Sequence, residues 1–199
     1  MEQWLFRKIV TLPSQCADWR FVYGNFARNA SITTLASTTV GMYVQATLNS
    51  VIAPTNSSPE FINPPVPWVC LGQSFCYTHG SVEPDGDSLV YTLTNPLIDI
   101  NGGTVTYNAP YTATNPISST PALTLDANTG QICFTPTAIE VTVMAVRILE
   151  YRNGMLIGST VRDMQITVVN CSNTPPSLTG INGTTVYTDS VCAGTQLCF

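Results

Sequence analysis

The chain has 199 residues, 44% of them hydrophobic and only 10% charged, a balance too apolar for intrinsic disorder and sufficient for one good core and a smaller one. Seven Lys and Arg against twelve Asp and Glu give a net charge of −5, which removes the electrostatic basis for binding nucleic acid or inserting at an anionic membrane. No run is long enough to span a bilayer, and Met1 to Lys8 lacks the basic start and apolar core of a signal peptide.

Short runs rich in Val, Ile, Thr and aromatic residues, bounded by Gly, Pro and Asn, predict an all-β sandwich. In chain order, strands are expected at 6–12, 19–23 and 42–48, a stretch too short for a full sandwich, and then at 74–78, 89–94, 104–107, 122–126, 131–135, 141–152 and 156–169. Asn153-Gly154 between the last two supplies the positive φ angles of a tight hairpin turn. Val143, Ala145, Ile148, Ile166 and Val168 on these arms are candidates for burial. Residues 92–121, crowded with Asn, Pro, Thr and Gly, read as an exposed excursion with short strands.

The chain repeats itself. Val69-Cys70-Leu71-Gly72-Gln73-Ser74-Phe75-Cys76-Tyr77 returns as Val191-Cys192-Ala193-Gly194-Thr195-Gln196-Leu197-Cys198-Phe199. Each copy follows an Asn-x-x-Pro segment, at Asn56 and at Asn173, and Cys16 precedes Asn56 by the same interval that separates Cys133 from Asn173. The offset between copies is about the size of one β-sandwich domain. The expected organisation is tandem Ig-like or cadherin-like β-sandwich modules: residues 1–55 as the end of one, 56–172 as a complete one, and 173–199 as the start of a third.

Seven cysteines, flanked by strand-like alternation rather than set in CxxC knuckles with a nearby histidine, favour disulfides and an extracytoplasmic location. Cys76 lies between Phe75 and Tyr77, and Cys133 between Ile132 and Phe134. Strand alternation turns both sulfurs away from their larger apolar neighbours, where they can bridge adjacent strands on the outer face. Cys70 before the first of these strands and Cys171 after the last can meet near a module end. Of three connectivities, Cys76–Cys133 with Cys70–Cys171 is preferred; Cys16, Cys192 and Cys198 are left with partners outside the chain.

Glu83-Pro84-Asp85-Gly86-Asp87 places three carboxylates across a glycine turn, a partial site for a hard cation such as calcium, completed by donors from the junctions at Asn56 and Asn173. A polar turn with Asp side chains bonding local amides is the alternative. Asp163 is a weaker candidate, because adjacent Arg162 suggests a surface pair. His79, the only histidine, is expected in a solvent-facing turn with no nucleophile motif beside it, and no enzyme is expected. Trp4, Trp19 and Trp68 could stack on sugars, although Trp68 among prolines reads better as packing at a module junction. Asn29, Asn56, Asn170 and Asn182 fit the short N-glycosylation pattern.

With these residues in hand, Asn56 to Phe61 resembles the opening of a cadherin-like or immunoglobulin-like repeat, Asp85 to Tyr91 its acidic turn and following strand, and Leu125 to Ile132 its Asp-x-x-Thr-Gly-x-Ile step. Cys16-Ala17-Asp18-Trp19, Arg28-Asn29, Asn56-Ser57-Ser58-Pro59, Asp85 to Tyr91 and Arg162 to Ile166 look like the giant repetitive surface proteins of gliding Bacteroidota. Ser88 and Ser190, each after an Asp and before an apolar residue, resemble that group's O-glycosylation acceptors. The resemblance implies type IX secretion and a cell-surface adhesin or filament. Its partners would be neighbouring modules, surface glycans or the substratum, and the gliding machinery. The alternative expectation is a carbohydrate-binding module set of an exported polysaccharide-degrading enzyme.

Overall fold

The structure is a computed structural model that describes residues 6, 8–66 and 68–172. The expected third module, with Asn173, Ser190, Cys192 and Cys198, lies outside the described residues, as do Trp4 and Asn182. The fold is all-β, with no helix among the described residues. The strands are β1 (Trp19–Asn25), β2 (Met42–Leu48), β3 (Glu60–Phe61), β4 (Trp68–Cys70), β5 (Phe75–Thr78), β6 (Ser81–Val82), β7 (Ser88–Thr94), β8 (Thr124–Leu125), β9 (Gln131–Phe134), β10 (Val141–Arg152) and β11 (Met155–Val169).

The long hairpin of β10 and β11 is the spine. Its turn residues Asn153 and Gly154 have φ of 53° and 78°, the left-handed geometry whose twist matches that of the flanking strands. Around it a sheet runs in the order β1-β2-β11-β10-β7, with β4 parallel to the far end of β11. A second sheet, β5-β9-β8, packs over one face. Alternation decides what meets there: Met144, Val146 and Ile148 of β10 and Met164, Ile166 and Val168 of β11 point inward and pack with Phe75, Tyr77, Ile132 and Phe134. Fully burying one such side chain is worth about 1.5–3 kcal/mol, so this contact between the two sheets is the main core.

The opposite face of β10 is also covered. Val143 packs with Ile32, Leu35 and Val105, contributed by the segments between β1 and β2 and between β7 and β8. The excursion expected to be exposed therefore folds back on the sheet, and Ile117 within it is fully buried. Two isolated bridges, Leu97 to Thr104 and Leu35 to Tyr107, stand where a strand was expected at 104–107. Glu140 closes the end of the excursion, accepting hydrogen bonds from Tyr111 Oη at 2.5 Å and Ser118 N at 2.6 Å.

Residues before Asn56 join the same sheet, since Leu48, Thr47 and Ala46 of β2 pair with Gly158, Ser159 and Thr160 of β11. The sheet is thus continuous across the expected division at residue 55. Residues 8–12 form no strand, because no neighbour in the described chain pairs with them. β3, β4 and β6 escape sequence patterning: two or three residues among prolines are too few to establish a period.

Candidate functional site: a charged junction beside a buried histidine

Asn56 lies in the segment that leads from β2 into β3 and meets the tip of the central hairpin. Pairing of Tyr151 with Ser88 sets the end of β10 against the start of β7 and brings Arg152 onto the acidic turn. Arg152 grips Asp87 with both ends of its fork, Nε to Oδ1 at 2.9 Å and Nη2 to Oδ2 at 2.6 Å. It also donates to Asp85 Oδ2 at 3.3 Å, Asn56 Oδ1 at 2.8 Å and Thr55 O at 2.9 Å. Asn56 Nδ2 in turn donates to Glu150 Oε1 at 2.9 Å, and Ser57 N donates to Asp85 Oδ2 at 2.7 Å. Gly86, with φ of 82°, lets the turn curl so that Asp87 N reaches Glu83 Oε2 at 2.5 Å.

The structure thus brings together four of the expected calcium donors, Glu83, Asp85, Asp87 and Asn56. One carboxylate oxygen from each of the three acids lies within 4.8 Å of the others. The donor chemistry suits a hard cation, and Glu83 Oε1 is buried without a partner. A guanidinium, however, already supplies the positive charge. Its fork holds the Asp87 carboxyl below its ordinary range, and Asp87 raises the pKa of Arg152 in return. Glu150, 1% exposed, is pushed up by burial; the Asn56 hydrogen bond opposes that shift, while the charges of Glu83 and Asp87 add to it. As arranged, the residues fit calcium only if Arg152 withdraws. An open cleft of about 700 Å³ lies beside the cluster, bounded by Leu12, Leu48, Pro54, Ser57, Asp85 and Arg152.

Arg152 and Glu150 were not singled out in the sequence. In a chain with so few charges, opposite charges two apart at the end of a hairpin arm are a usable signal.

His79 is not in a solvent-facing turn: it is fully buried. Phe75, Tyr77 and His79 share one phase, so the alternation that turns Cys76 outward turns the imidazole inward. The ring stacks on Tyr91 at 6.2 Å and meets Tyr77 and Phe61 edge-on at 5.2 and 6.1 Å. Neither ring nitrogen has a hydrogen-bond partner. Burial, reinforced by the charge of Arg162, pushes its pKa down to about 4.

Arg162 and Asp163 are not a surface pair either, because neighbours on a strand point to opposite faces. The Arg162 guanidinium lies 4.5 Å over the Phe61 ring and donates to Asn63 O at 2.7 Å. Asp163 points to the other face and pairs with Arg28.

Both preferred bridges are present. Cys76 and Cys133 are directly opposite on β5 and β9, with S–S 2.07 Å. Cys70 and Cys171 are joined with S–S 1.93 Å. Cys16 is a half-buried free thiol 3.1 Å from Asp18 Oδ1. Ser88 is exposed at the start of β7. Trp68 is 61% exposed. Trp19 is half-buried, its Nε1 lacking a partner.

No protein-family model matches the chain, and no curated protein matches it. The two disulfides indicate an oxidising, non-cytoplasmic environment. Among the described residues no helix is long and apolar enough to cross a membrane.

Proposed function

We propose that this chain is a non-enzymatic structural segment of a long bacterial surface adhesin or filament, giving reach and stiffness for adhesion and gliding. The observation that carries the reading is the double closure of the sandwich by sulfur, Cys70–Cys171 around its ends and Cys76–Cys133 across its smaller sheet. Each bridge contributes about 2–4 kcal/mol by restricting the unfolded chain. The Arg152 hub adds to this by fixing the segment at Thr55 and Asn56 to the hairpin tip, where a flexible linker would allow bending. Calcium at Glu83, Asp85 and Asp87 would act in competition with Arg152. Neighbouring modules, surface glycans or the substratum, and the gliding machinery are the partners this role calls for.

Immunogold electron microscopy of the producing cells tests the reading. Label along filaments or the outer envelope is expected, and label confined to the cytoplasm contradicts it. The carbohydrate-binding reading draws on the exposed indole of Trp68; glycan-array binding that is lost in Trp68→Ala would favour it.

A further inference from the structure

Past β1, β2 and β3, the chain enters the disulfide-closed part of the sandwich on β4 and leaves it on the adjacent strand β11. β4 lies parallel to the end of β11, with Trp68 beside Thr167 and Cys70 beside Val169. Leu71 N donates to Val169 O at 2.9 Å immediately beyond. Cys70 is then bonded to Cys171, 101 positions later in the chain, with the two Cα atoms 5.5 Å apart. Between them lie β5 to β10, all of β11 and nearly the whole main core.

Once β1 to β3 have been drawn off their neighbours, tension pulls β4 backward from its N-terminal side and β11 forward from its C-terminal side. In a parallel pair those forces act along the strand axis in opposite senses. They load the evenly spaced interstrand hydrogen bonds together, where a hairpin pulled from its open end would lose them one at a time. If these bonds yield, the disulfide takes the load at the same place.

We propose that Cys70–Cys171 is a covalent bypass: tension passes from the incoming to the outgoing chain through one S–S bond, with the β4–β11 pairing as its non-covalent part, and residues 71–170 stay folded under load. Cys76–Cys133, joining cysteines 57 positions apart inside this loop, is a second stop that acts only after the first has opened. The segment is then extensible in proportion to how many bridges are reduced. Opening one is a two-electron exchange: an external dithiol closes to its own disulfide, and the two cysteines leave as thiols, each taking up a proton. Cys70 and Cys171 are both half-buried, within reach of a small reductant. The bypass follows from chain connectivity and stands or falls separately from the adhesin reading.

Single-molecule stretching of the full chain, tethered through its two ends, tests it. Oxidised wild type should gain no length from residues 71–170. The pair Cys70→Ser with Cys171→Ser should release the outer loop less the inner one, roughly 44 residues or about 150 Å at the extended spacing. Replacing Cys76 and Cys133 as well should release roughly 101 residues, about 340 Å. Should the variants fail to fold, adding dithiothreitol to wild type held under force should produce the same two lengths in sequence. Full extension of the oxidised wild type, or equal extension before and after reduction, overturns the proposal.

Discussion

Arg28 and Asp163, 135 positions apart, form a two-point ion pair with Nη1 to Oδ1 at 3.0 Å and Nη2 to Oδ2 at 2.6 Å, their side chains 2% and 3% exposed. Arg28 also donates to Leu97 O at 3.0 Å, so one guanidinium ties together the segment after β1, the excursion and β11. Burial raises the Asp163 pKa against the pull of Arg28, which means the carboxylate depends on its partner to stay charged.

Arg28→Met should therefore destabilise the protein by about 3–5 kcal/mol, because a buried charge is left uncompensated. The double replacement Arg28→Met with Asp163→Leu should recover most of that loss. Urea denaturation of the two variants checks this, and a double variant as unstable as the single one contradicts it.

His79 gives a signed pH dependence. Its folded pKa of about 4 lies below the unfolded value of about 6.5, so the unfolded chain binds the proton more readily between those values. Stability should be full above about pH 6.5, fall by up to about 3 kcal/mol toward pH 4, and level off below. His79→Phe, which keeps an aromatic ring among Phe61, Tyr77 and Tyr91, should flatten this window in thermal melts across pH. An unchanged slope would show that His79 is not its source.

Glu150 acts in the opposite sense. Its raised folded pKa means that the folded state holds the proton more tightly, and stability is lost as pH rises from about 4.3 through the folded value. Glu150→Gln keeps an acceptor for Asn56 and removes the buried charge. It should melt at a higher temperature than wild type at pH 7, with the advantage gone near pH 4. Melting curves at the two pH values decide it.

The core and its sulfur clips were legible in the sequence because they rest on alternation. Phe75 and Tyr77, and Ile132 and Phe134, mark an inward face, and that phase alone turns Cys76 and Cys133 together outward. The hairpin was legible because Asn153-Gly154 is a local signal. Applied further, the same phase would have placed His79 inside and separated Arg162 from Asp163; a following glycine and an adjacent opposite charge pointed to local explanations instead. The β4–β11 pairing and the Arg28 ion pair were not legible. Both join residues about 100 or more positions apart, and neither three residues after a proline nor one arginine carries a period.

Arg152 occupies the cationic position among Glu83, Asp85 and Asp87. Calcium should therefore bind wild type weakly and raise its melting temperature little. Arg152→Gln leaves the carboxylates without a counter-charge and should bind calcium more tightly, at least tenfold by isothermal titration calorimetry, a change of about 1.4 kcal/mol. Equal affinities would show that the guanidinium does not compete for the site.

Peptide mass spectrometry of the protein taken from its producing cells, alkylated before any reduction, decides whether the sandwich is closed by sulfur outside the cytoplasm. Cross-linked peptides joining Cys70 to Cys171 and Cys76 to Cys133 are expected. Recovery of those four cysteines as alkylated thiols would contradict that closure.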